Sequence, residues 1–214
     1  MCARKEIPDN VRRLRIDPEQ APPPIRWEAL FGRPGPNAIE IGTGNGMFIA
    51  GEAARRPETN FIGIERDKEF FWKMAARVAR ADLANVRASD LDAAEFLERW
   101  IPEASVERIV CLFSDPWPKR RHGARRVITP GNLPLLERVL TAGGELRFKT
   151  DVGWYFNLAV TALRRRGGWS FVEIGRLAPP DAGAGEVMTN YERKARDAGE
   201  RIWGFTARLD KILI

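Results

Sequence analysis

Short apolar runs alternate with helical periodicities along most of this chain, and that rhythm limits its fold more than any other feature. Strand-like runs fall at 38–41, 61–65, 85–88, 108–113 and 145–149. Helical patterns separate them: one ending near 56, then 67–81, 93–100, 130–141 (closed by Gly143-Gly144) and 153–166. A strand that returns through a helix must pair parallel to its predecessor. The expected architecture is therefore α/β, a doubly wound and mostly parallel sheet. Two further β runs, at 170–177 and 201–209, have no helical pattern between them and predict an antiparallel C-terminal strand pair. A short helix is expected at 27–31, stopped by Gly32 and Pro34.

The 214 residues suit one such sheet, and 44% hydrophobic content can fill its core. Residues 26–214 read as a single domain. Residues 1–25 are basic and Pro-rich, ending in Pro22-Pro23-Pro24, and read as a flexible arm. No apolar run is long enough to span a bilayer, and the first residues are charged rather than signal-like. Cys2 and Cys111 lie far apart, which predicts no disulfide, and no metal-ligand spacing occurs. A cytoplasmic location, no membrane and no metal are the resulting expectations. Whether the chain is a monomer or a homodimer stays open.

In an open α/β sheet, ligands lie beyond the carboxyl ends of the strands. Two motifs fall there. The first, Glu40-Ile41-Gly42-Thr43-Gly44-Asn45-Gly46, follows a strand and opens a helix. Glycines at 42, 44 and 46 allow positive φ and close backbone approach to a ligand. Their spacing is not the G-x-G-x-x-G of a dinucleotide fold. Glu40 would repel a pyrophosphate but would welcome a sulfonium and an amino group, so the pattern favours S-adenosylmethionine over NAD. Glu65, ending the second strand, can accept both ribose hydroxyls. Of Asp90 and Asp92, one can accept the adenine amino group while the other caps the following helix.

The second motif is Ser114-Asp115-Pro116-Trp117-Pro118-Lys119-Arg120-Arg121-His122, with Arg125 and Arg126 beyond it. It joins an acid, a proline-flanked aromatic and a cationic run. Thirty-five Lys and Arg against 29 Asp and Glu give a net charge of +6, which also suits a polyanion. Lys119, Arg120, Arg121, Arg125 and Arg126 are candidates for holding RNA phosphates, and His122 for a hydrogen bond or RNA contact. Trp117 can stack on a base or pack its own loop.

Together with Lys149-Thr150-Asp151 and Thr189-Asn190-Tyr191-Glu192-Arg193-Lys194, these motifs resemble the bacterial tRNA (guanine-N7-)-methyltransferase family, in the same order and from about residue 39 to about residue 205. The resemblance implies a Rossmann-like class I methyltransferase fold, S-adenosylmethionine as cofactor, tRNA as partner, and N7 of a guanosine in the variable loop as target. It implies that Glu40, Glu65 and Asp92 contact the cofactor. It places Asp115 at the reaction centre and in the cofactor site, and it assigns Lys119, Asp151 and the stretch Thr189, Asn190, Tyr191, Glu192 to the substrate. The chain departs from the pattern at Gly123-Ala124, where many members carry basic residues, at Tyr191, where many carry Phe, and in the individual loop 179–185.

Guanine N7 has an in-plane lone pair and no proton to lose, so no strong base is required. Alignment and negative groups near the developing purine charge suffice. Asp115, Asp151 and Glu192 suit that work, with the assignment among them open. Other readings are a methyltransferase for small molecules or proteins, which the basic cluster disfavours, and a non-catalytic tRNA-binding protein, which the retained acids disfavour.

Overall fold

A computed structural model describes residues 8–19, 21–179 and 187–210. Seven strands form one sheet in the order β3-β2-β1-β4-β5-β7-β6. In chain order these are β1 (Asn37–Ile41), β2 (Asn60–Ile64), β3 (Val86–Ser89), β4 (Val106–Leu112), β5 (Leu140–Thr150), β6 (Trp169–Arg176) and β7 (Trp203–Leu209). β1 to β5 pair in parallel. β7 runs antiparallel to both β5 and β6, so the expected sheet and its antiparallel finish are both present.

Among the described residues, eight α-helices and one 3-10 turn accompany the strands: α1 (Asp9–Arg12), α2 (Trp27–Phe31), α3 (Met47–Arg55), α4 (Lys68–Arg80), α5 (Ala93–Trp100), the 3-10 turn Arg120–Arg125, α6 (Leu133–Val139), α7 (Gly153–Arg166) and α8 (Asn190–Asp197). Alternation sorts the strand residues onto two faces. Ile39, Ile41, Ile62 and Ile64 join the core under α5, α6 and α7. Ala38 and Phe61 join the core under α3 and α4, with Ile49, Phe71 and Met74.

The structure corrects three expectations. Gly143-Gly144 does not close a helix. α6 ends at Val139 and Leu140 goes straight into β5, pairing with Val106. The register then breaks until Glu145 pairs with Arg108, and Gly143, at φ +76°, turns the chain inside this bulge. The stretch at 190–197, expected as a loop, is α8; Thr189 caps it by accepting the Glu192 N–H at 2.9 Å.

The third correction concerns the N-terminal arm, whose residues 1–7 lie outside the described residues. From Pro8 the segment is packed. Val11, Leu14 and Ile16 are each only 7% exposed. The Ile16 N–H donates to Ala88 O at 2.8 Å, and the Ala88 N–H donates to Leu14 O at 2.7 Å. The apolar residues are few, but they are spaced to cover the open edge of β3. Burying each is worth roughly 1.5–3 kcal/mol as an upper figure, which holds the segment down despite its charge.

Candidate active-site cleft and its basic rim

A cleft of about 930 Å³ opens at the carboxyl ends of β1, β2 and β4, reached also by α8. Its floor on one side is the turn from β1 into α3. Gly42 and Gly44 have φ of +77° and +53°, and a Cβ built on either would meet nothing within 4 Å. They keep the backbone bare toward the cleft. Gly46 differs. It is the positive-φ residue that starts α3, and a Cβ there would lie 2.5 Å from the Met74 side chain. Gly46 does not line the cleft; it lets α3 close on α4.

Two carboxylates stand by this turn. Glu65 accepts the Gly44 N–H at 2.8 Å and the Asp67 N–H at 3.0 Å, one on each oxygen. Burial pushes its carboxyl up from the ordinary range, against the pull of those two donors. Glu40 is 3% exposed, and its Oε2 has no hydrogen-bond partner. Burial first, and the nearby negative charge of Glu65 second, push Glu40 well above the usual carboxylate range. A buried orphan acceptor asks for a donor or a cation. The bare glycine turn and these two acids therefore fit a ligand carrying hydroxyls and positive charge, as S-adenosylmethionine does.

Asp90 and Asp92 separate cleanly. Asp90 turns away, pairing with Arg15 at 3.1 Å. Asp92 caps α5 through the Ala94 N–H at 3.0 Å, meets Arg66 at 3.4 Å, and still lines the cleft between Leu91 and Ala93. Capping and lining the cleft thus fall to one residue.

The far wall rises from β4. Phe113 and Trp117 both adopt positive φ, +54° and +45°, a strained backbone of the kind concentrated at functional sites. Between them the exposed Asp115 enters the cleft. Arg126 holds the loop in this shape, donating to Pro116 O at 2.7 Å and to Trp117 O at 2.6 Å. It is a brace rather than a free cation. Trp117 lines the cleft with Arg125 stacked over its ring at 4.9 Å and the His122 ring edge-on at 5.6 Å. The structure brings Lys119, Arg121 and His122 to the rim outside the cleft, around the 3-10 turn. Arg121 donates to His122 Nε2 at 3.2 Å.

The third wall is the start of α8. Thr189, Asn190 and Tyr191 line the cleft. The Tyr191 hydroxyl donates to Asp151 Oδ2 at 2.9 Å, and its ring lies 5.1 Å from that of Phe113. Asp151 does not cap α7; the Val152 N–H is taken by Thr150 Oγ1 at 3.1 Å. Glu192 is the clear correction. Its side chain is fully buried, bonded at 3.1 Å to Lys149 and at 2.8 Å to Arg196. Thr189-Asn190-Tyr191-Glu192 has the pattern of a capping box, but only the threonine caps. The glutamate points inward to the ion cluster and does not line the cleft. Lys68, Phe70 and Lys194 also line the cleft. The sequence signal for the first two was their position in the first turn of α4, just past Glu65.

Among the described residues no group of three or more His, Cys, Asp or Glu side chains could hold a metal, and no helix is long and apolar enough to cross a membrane. Cys111 is buried and free, its thiol pushed up to about 12 chiefly by burial.

Comparison with known proteins agrees with this geometry. Residues 34–205 match a family model described as "Putative methyltransferase". A tRNA (guanine-N(7)-)-methyltransferase of Listeria welshimeri is 36% identical over 187 residues, covering 87% of this chain and 86% of that protein. One from Staphylococcus aureus is 32% identical over 206 residues, covering 96% and 94%. Among solved structures, the 16S rRNA methyltransferase KamB superposes with a TM-score of 0.61 at 17% identity, over 86% of this chain and 93% of that one. A precorrin-6y C5,15-methyltransferase from Geobacter metallireducens gives 0.59 at 14% identity, over 92% and 83%. The structural likenesses establish a class I methyltransferase fold. With the extent and identity of the sequence matches, they make this chain a member of the tRNA (guanine-N(7)-)-methyltransferase family.

Proposed function

We propose that this chain transfers a methyl group from S-adenosylmethionine to N7 of a guanosine in the variable loop of tRNA. The observation that carries this reading is the shape of one cleft. A bare glycine turn with two carboxylates of unspent acceptor capacity forms one side, and an acid–aromatic wall backed by a cationic rim forms the other.

S-adenosylmethionine, when bound, supplies an electrophilic methyl group on a sulfonium. Glu40 would sit near its positive charge, Glu65 would take the ribose hydroxyls on its remaining lone pairs, and Asp92 with Ala93 would border the adenine. The chain's own task is positioning, because N7 needs no deprotonation. Holding both reactants in line can supply on the order of 7–11 kcal/mol of the barrier. With Glu192 in the ion cluster, the remaining candidate acids are Asp115, which lines the cleft, and Asp151, which the Tyr191 hydroxyl joins to the cleft wall. One of them accepts from N1–H and the 2-amino group of guanine. Adenine offers neither donor, and the unpaired carboxylate would cost about 1–3 kcal/mol. Negative charge there also favours the positive charge that develops on the purine. Trp117, with Arg125 on its face, offers a stacking surface for an exposed base. Drawing the guanosine out of its stack costs a few kcal/mol, which phosphate contacts along the rim would offset.

The test uses purified protein, labelled S-adenosylmethionine and unmodified tRNA, against the same tRNA with the variable-loop guanosine replaced by adenosine. Label should enter the first and not the second. Equal labelling of both would move the target elsewhere in the tRNA.

A further inference from the structure

The N-terminal segment builds a second concave surface, away from the cleft. A groove of about 600 Å³ runs along the β3 edge, and Arg12, Arg13, Arg15, Arg26 and Arg87 line it against only Asp9 and Asp17. Arg15 is neutralised by Asp90. Arg13 and Arg26 are exposed, and no described carboxylate pairs with either. Arg87 is half-buried at the base of the groove. Its guanidinium donates to Ala84 O at 3.0 Å and to Val86 O at 2.8 Å and lies over the Phe31 ring at 5.2 Å, with no described carboxylate against it. Two carbonyls and a ring face offset part of the cost of taking this guanidinium from water, but no described carboxylate neutralises its charge. The walls are anchored in the core by the buried Val11, Leu14, Ile16 and Ile25.

From this we infer that the groove is an accessory phosphate-binding surface for the tRNA backbone, resting on the proposed reading of the chain as a tRNA methyltransferase. Guanidinium groups on a rigid concave wall match phosphodiesters, which carry charge and acceptors but no sequence information. The groove is joined to the cleft through Arg15 and Asp90, two residues before Asp92. β3 and β4 are three strand spacings apart in the sheet, roughly 14 Å. A backbone that reaches from the rim after β4 to this groove would have to span at least that lateral distance. The loop after β4 then orients the target nucleotide, while the groove holds a flanking stretch of the tRNA.

The experiment measures tRNA binding over a salt series for the full chain and for the double variant Arg13→Ala/Arg26→Ala, with cofactor binding and steady-state methylation on the same samples. Loss of two phosphate contacts should lower the slope of log affinity against log salt by about 1–2 and weaken tRNA binding at low salt roughly ten-fold or more. KM for tRNA should rise, with kcat and cofactor affinity unchanged, and Arg13→Lys/Arg26→Lys should restore most of the binding. An unchanged tRNA affinity and salt slope would overturn the inference. So would an equal loss of cofactor and tRNA affinity, which would mark a structural defect. If the unaltered chain methylates no tRNA at all, the proposed function itself fails and the groove's role falls with it.

Discussion

Two buried carboxylates, Glu40 and Glu192, lie within the same molecule under opposite conditions. Glu192 is enclosed by Lys149 and Arg196 and uses its oxygens on them. Glu40 is nearly as buried but has an oxygen with no partner and a negative neighbour in Glu65. A paired buried charge fixes structure; here it ties α8 to the end of β5, and so sets Thr189, Asn190 and Tyr191 against the cleft. An unpaired one holds interaction energy in reserve for a ligand. The same residue type thus marks a holding point in one place and a binding point in the other, and burial alone does not tell them apart.

The largest effect should come from breaking the paired site. Glu192→Ala leaves two cations facing each other in the interior and should cost about 3–5 kcal/mol of stability, read as a fall in the denaturant midpoint. If stability is unchanged while activity is lost, Glu192 touches substrate after all. The unpaired site should respond with the opposite balance. Glu40→Gln removes a carboxyl that burial disfavours, so the free protein should melt no lower than the parent, while cofactor affinity drops about ten-fold or more. Parallel loss of both would place Glu40 with the structural ion clusters.

Acidity sharpens the contrast. The folded chain binds a proton on Glu40 more tightly than the unfolded chain, whose carboxyl keeps the ordinary value of 4.5. That contribution to stability is complete below 4.5 and is lost as pH rises through the raised value. Glu65 shifts in the same direction. Cofactor binding needs the charged form, so affinity should fall as pH drops from neutral toward 4.5, and Glu40→Gln should flatten most of that slope in a calorimetric titration. A slope of the same size in the variant would assign the titration elsewhere. The smallest effect belongs to the rim. Lys119→Ala and Arg121→Ala should each weaken tRNA binding a few-fold and lower its salt slope by about 1, without touching the cofactor.

The mostly parallel sheet and its antiparallel finish were legible because period-two and period-3.6 patterns report which face is buried. The glycine turn and the Asp115 loop were legible because chemistry at strand ends follows from the fold class. What the sequence hid depends on contacts between distant segments. Val11, Leu14 and Ile16 look too sparse for a core until the open β3 edge is present to receive them. Gly143-Gly144 reads as a helix stop until Leu140 is seen to pair with Val106. Glu192 reads as a substrate contact until Lys149, forty-three residues earlier in the chain, reaches its carboxylate. Asp90 and Asp92 are interchangeable as letters, and Arg15 separates them.

The central claim is that Asp115 faces the reacting guanosine across a cleft whose other side holds the cofactor. The most direct measurement is single-turnover transfer from labelled S-adenosylmethionine to unmodified tRNA, by the parent and by Asp115→Ala, with the RNA digested and the methylated nucleoside identified. The account predicts 7-methylguanosine from the parent. The variant should melt normally and transfer at least about 100-fold more slowly. A different methylated nucleoside from the parent, or near-normal 7-methylguanosine from Asp115→Ala, would contradict it.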